Sequence, residues 1–143
     1  VHTREAASSR RNGIVIASLE DPKHPVQIAE FVEGVTAGVH SAFIYQQPGG
    51  ETHVYLTNNG TNTMHVVDIT DPYRPREVAQ WRAPAPGAGG SLHDIDVQNG
   101  LAYLSYWNEG LIVLDVGNGV REGSPSNPRF VSQYKYDLNE LYS

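Results

Sequence analysis

Pro25-Val26-Gln27-Ile28-Ala29-Glu30-Phe31, Pro75-Arg76-Glu77-Val78-Ala79-Gln80-Trp81 and Pro128-Arg129-Phe130-Val131-Ser132-Gln133-Tyr134 are three copies of one pattern. Each runs proline, two variable residues, Ile or Val, a small residue, Glu or Gln, then an aromatic. The copies lie 50 and 53 residues apart. A repeat of that length points to an array of equivalent supersecondary units.

An apolar strand precedes each copy: Ile14-Val15-Ile16, Met64 to Ile69, and Leu111 to Val116. The first two reach their proline through Asp21-Pro22 and Asp71-Pro72. Asp at the first and Pro at the second position of a turn predict a tight hairpin. The third copy inserts about six residues between Gly117 and Asn127, a stretch rich in Gly, Ser and Asn. Such an insertion belongs in a surface loop, where function tends to sit.

Two more strand types complete the unit. His40–Tyr45 aligns with Leu92–Val97, and His53–Thr57 with Leu101–Trp107. The turn signals Pro48-Gly49-Gly50 and Asn99-Gly100 separate them, and Asn59-Gly60 and Asn108-Glu109-Gly110 lead into the apolar strand. Four short strands in about 50 residues are a β-propeller blade. An immunoglobulin-like sandwich also has short strands, but it does not predict a repeated strand sequence. No window carries a helical period.

The expected fold is therefore all-β, a partial β-propeller of about two and a half four-stranded antiparallel blades. Residues 1–12 are expected to be an N-terminal tail or linker, 13–35 a half blade, 36–86 a blade and 87–143 another. Lettering the strands A to D from the axis outward, the half blade supplies only C and D. Propeller rings close with about four to eight blades. Open blade faces and strand edges invite aggregation. The chain is thus expected to be a segment of a longer polypeptide, its ends covered by further blades or a protein partner.

Composition narrows the partners. Ten Lys and Arg against 16 Asp and Glu give a net charge of −6, and no basic stripe suited to nucleic acid is present. Arg4, Arg10 and Arg11 read as a solvated tail. With no cysteine, disulfides and thiolate metal sites are excluded. No apolar run is long enough for a membrane span.

With the strands in place, the chain resembles the LVIVD-repeat family of bacterial propeller-like proteins. The resemblance rests on Leu111-Ile112-Val113-Leu114-Asp115-Val116 and on Met64 to Pro72 as signature strand and turn. Leu92 to Val97, Asn99 to Leu104 and Pro128 to Val131 fit the remaining elements. It covers residues 13–136 and implies a secreted, periplasmic or cell-surface location. The departures are Ile16-Ala17-Ser18, where the aspartate is missing, and the long third turn.

Several residues are candidates for chemistry. His40 and His93 occupy equivalent positions at the start of strand A, nearest the axis, where repeated imidazoles could bind a transition metal. Asp94 or Asp96 could add oxygen ligands. The simpler reading is that each histidine ties an incoming loop to its blade. Asp68 and Asp115 recur before turns, where a carboxylate accepts backbone N–H bonds. Phe31, Trp81 and Tyr134 recur on strand D as packing between blades, with Trp81 also an interface candidate. Tyr106 and Trp107, beside the turn at Asn108, are expected to be interface anchors.

Gly87-Ala88-Gly89-Gly90-Ser91 lacks the Lys-Ser/Thr ending and helix of a phosphate loop. There is no Gly-x-Ser-x-Gly elbow. Asn59-Gly60-Thr61 fits a glycosylation sequon, though its turn role suffices. Two functions stand: a non-catalytic binding or scaffolding module, and a metal-dependent oxidase or hydrolase of a small molecule with axial histidine ligands.

Overall fold

A computed structural model describes residues 1–5, 11–58, 60–84 and 91–135. Among the described residues the regular structure is all strand: β1 (His2–Arg4), β2 (Gly13–Ser18), β3 (Val26–Phe31), β4 (Val39–Gln46), β5 (Thr52–Asn58), β6 (Thr63–Asp68), β7 (Arg76–Trp81), β8 (Leu92–Gln98), β9 (Leu101–Tyr106), β10 (Gly110–Asp115) and β11 (Arg129–Tyr134). They form three antiparallel sheets in the orders β1-β2-β3, β4-β5-β6-β7 and β8-β9-β10-β11. The architecture is a partial β-propeller, with β4 and β8 side by side as the innermost strands of their blades.

The repeat fixes register as well as strand order. Ile14 pairs with Phe31, Met64 with Trp81, and Leu111 with Tyr134, so the three hairpins superpose residue on residue. Each carries a bulge at the same place: between Ile16 and Ala17, Val66 and Val67, and Val113 and Leu114. A bulge adds one residue to one strand and increases the local twist. At the inner hairpin of the third blade, Asn99 (φ 50°) and Gly100 (φ 72°) both take positive φ. Two such residues make the type I′ turn that matches strand twist.

β1 lies within residues 1–12, for which the sequence predicts a tail or linker. His2 pairs with Val15 and Arg4 with Gly13, so β1 fills the B position of the first blade. That blade has three strands rather than two. His-Thr-Arg has no apolar alternation to announce a strand. It is held instead by backbone pairing and by an ion pair from Arg4 to Glu30 on β3 at 2.9 Å. The rest of the assigned tail at 6–10, the Gly87–Gly90 stretch, Asn59 and 136–143 lie outside the described residues.

Side chains alternate between two apolar layers, as a period of two demands. Along β5, Val54 and Leu56 enter the layer between the first two blades, while Tyr55 enters the layer between the second and third. The first layer also takes Ile14, Ile16, Phe31 and Val67, and the second takes Met64, Val66, Leu104, Ile112 and Leu114. Because the middle blade is covered on both faces, β5 is buried along nearly its whole length.

Candidate functional site

The turn after strand C shows how the repeat handles its loops. Ser18 Oγ accepts the N–H of Glu20 at 3.3 Å, Asp68 Oδ1 that of Thr70 at 2.9 Å, and Asp115 Oδ1 that of Gly117 at 3.0 Å. The missing aspartate of the first blade is thus replaced by a serine making the same bond. Asp115 goes further. Its Oδ1 also accepts from Asn118 and Gly119, and its Oδ2 from Arg121 at 2.7 Å and Gly123 at 3.2 Å. Burial alone would raise the Asp115 pKa, but these N–H bonds together hold it well below the usual carboxylate range. The third-blade insertion is therefore wrapped around a buried carboxylate.

That insertion helps to wall a cleft of about 370 Å³ with Gln47, Glu51, His53, Asp68, Arg76 and Ser126. Asp68 is bound by Arg76 Nη2 at 2.8 Å. Burial pushes the His53 imidazole pKa down, while Asp68 and Glu51 pull it up. Neither His53 nor Glu51 was marked by the repeat, since neither has a like residue at the equivalent position of the third blade.

At the opposite ends of strands A, the register brings His40 on β4 beside His93 on β8. Their ring centroids are 4.7 Å apart with the planes tilted by 58°. Trp107, which is 61% exposed, lies with its ring centroid 5.9 Å from that of His93. Asn62, Ser91 and Leu92 complete a cleft of about 250 Å³. His40 Nδ1 is hydrogen-bonded to Glu5 Oε1, reaching across from the first blade.

Asp94 bonds away from the histidines. Its Oδ1 accepts from Ser41 Oγ on the neighbouring blade and from the N–H of Ile95. Asp96 accepts from Gln98 on its own strand. Among the described residues no set of three His, Cys, Asp or Glu side chains gathers as a metal cluster. Of the candidate set, the structure brings the two imidazoles together, while Asp94 and Asp96 bond to Ser41, Ile95 and Gln98. Glu5 was missed because it sits in the stretch assigned to a tail.

The aromatic candidates divide. Trp107 is exposed, and Trp81 is half-buried against the layer between the second and third blades. Tyr106 corrects the interface reading: it is 3% exposed. Its hydroxyl donates to the Asn62 carbonyl at 3.0 Å and accepts the N–H of Ala83 at 3.3 Å, tying the third blade to the loops of the second. Burial pushes its pKa up against the pull of the Ala83 bond. Tyr106→Phe should cost about 1–2 kcal/mol in urea unfolding, since one buried and one part-buried backbone group would each lose a partner.

Residues 89–136, which span β8 to β11, match the family model described as LVIVD repeat. The third blade is thus similar to an LVIVD repeat. No curated protein and no solved structure matches the chain. This matched blade provides His93, Trp107 and the Asp115 loop, while the blades sharing its register provide His40 and Glu5. No helix among the described residues is long and apolar enough to cross a membrane.

Proposed function

We propose that the chain is a non-catalytic, secreted β-propeller segment that serves as a binding or scaffolding module within a larger protein or complex. In this reading a further blade of the same repeat packs on the outer face of the LVIVD blade.

One observation carries it. Positions that are covered in the first two blades recur uncovered in the third. Phe31 is 6% exposed and its equivalent Tyr134 is 67% exposed; Met64 is fully buried and its equivalent Leu111 is 36% exposed. Ile16 and Val66 are buried, and Val113 in their place is half-buried. The faces equivalent to this one are each covered by the next blade, so a blade is the occupant whose chemistry fits. Secretion, periplasmic or surface placement rests on the family resemblance. The alternative of a metal-dependent enzyme has one observation in its favour, the approach of His40 to His93.

Leu111→Arg in the full-length protein tests the covered face by urea unfolding. A solvent-facing site tolerates such a change within about 0.5 kcal/mol. If a blade covers Leu111, the substitution buries an unpaired charge and should cost about 3 kcal/mol or more. A loss of 0.5 kcal/mol or less would remove the docking face from the proposal.

A further inference from the structure

We propose that His40 and His93 form a two-imidazole site for a divalent first-row transition metal, with Glu5 as the positioning residue for His40. The inference stands apart from the docking face and needs no catalytic activity.

The first support is geometric. Two histidines from equivalent positions on adjacent blades converge with centroids 4.7 Å apart, at the wall of an open cleft. Both are solvent-accessible, with 42% of the His40 side chain exposed, so an ion can reach them and water can fill the positions the protein leaves open. Imidazole nitrogens suit Zn²⁺ and Cu²⁺ rather than Mg²⁺ or Ca²⁺, which take oxygen ligands.

The second support is the hydrogen bond from Glu5. An ionised carboxylate only accepts, so the ring nitrogen facing it, Nδ1, carries the proton. The lone pair of the neutral His40 ring then lies on Nε2. A carboxylate behind a histidine in this way fixes the tautomer and raises the basicity of the nitrogen that binds metal. His93 has a different support. Its ring contacts those of both His40 and Trp107, which limits its rotation. Asp94 is engaged by Ser41 and the Ile95 N–H, so the proposed set is the two imidazoles alone.

Zn²⁺ titrated calorimetrically into the full-length protein is the test. One ion per chain is expected, with binding weakened at least tenfold in His40→Ala and in His93→Ala. His24→Ala, whose ring pairs with Asp21 on a distant turn, should leave it unchanged. Glu5→Ala should weaken Zn²⁺ about tenfold, the low end for loss of a partner behind a ligand. Glu5→Gln should restore most of that loss, because an amide oxygen still accepts the Nδ1 proton. In long-range ¹H–¹⁵N spectra, Zn²⁺ should shift His40 Nε2 while Nδ1 keeps its proton. Zn²⁺ binding that survives the double His40→Ala/His93→Ala change overturns the site, as does an absence of saturable binding. A Zn²⁺ shift at Nδ1 of His40 instead overturns the role of Glu5.

Discussion

Asp115→Asn is expected to destabilise the protein by about 3 kcal/mol, although it changes one atom and keeps the shape. The carboxylate accepts from three N–H groups at Oδ1 and two at Oδ2. An amide can satisfy only one side. Its NH₂ must face either the pair from Arg121 and Gly123 or the trio from Gly117, Asn118 and Gly119. Donors then oppose donors, and the loop from 117 to 123 loses its centre.

The pH dependence of that loss has a definite sign. The folded pKa of Asp115 lies well below its ordinary value of 3.8. Its stabilisation is therefore complete above the unfolded value and is lost as pH falls through the folded one. The gap between wild type and Asp115→Asn should be constant from pH 7 to about 5. It should narrow only below about 4, where the unfolded carboxyl begins to protonate. Urea unfolding across pH 3–7 checks this. A gap that closes already between pH 7 and 5 would contradict the assignment.

Leu104→Ala should cost about 3 kcal/mol, in the lower part of the range for emptying a tightly packed leucine site. Leu104 is fully buried between the second and third blades. Leu56, its repeat equivalent, is fully buried between the first and second. Leu56→Ala should therefore cost about the same. Stacked repeats share stability through their interfaces. Since β5 contributes to both layers, each variant should unfold in one transition at reduced urea. Two separated transitions in either variant would mean that the blades fold independently.

The blades were legible because three kinds of signal agreed: the proline-to-aromatic strand, the turn residues, and the apolar strand before each turn. β1 was not, since pairing by backbone alone leaves no mark on three polar residues. His40 and His93 could be placed together because the repeat gave them one position on adjacent blades. The partner of Asp94 depends on a side-chain direction across blades, which spacing does not specify. Tyr106 was misread from its nearness to a turn, when strand alternation was the better guide. Leu104 and Tyr106 face in, and Ser105 and Trp107 face out. Glu5 needed both the strand at residues 2–4 and its contact with the second blade to be visible.

The outer hairpins keep identical register across connections of unequal length, residues 19–25, 69–75 and 116–128. Turn length does not set the pairing here; the strands and the shared bulge do. This makes the outer turn a permissive port in the scaffold. A peptide or small domain spliced after Pro22 or Pro72 should be carried outward by a hairpin that stays in frame. The third turn indicates what such a guest requires: an acceptor at its root to gather the backbone, as Asp115 does for its own loop.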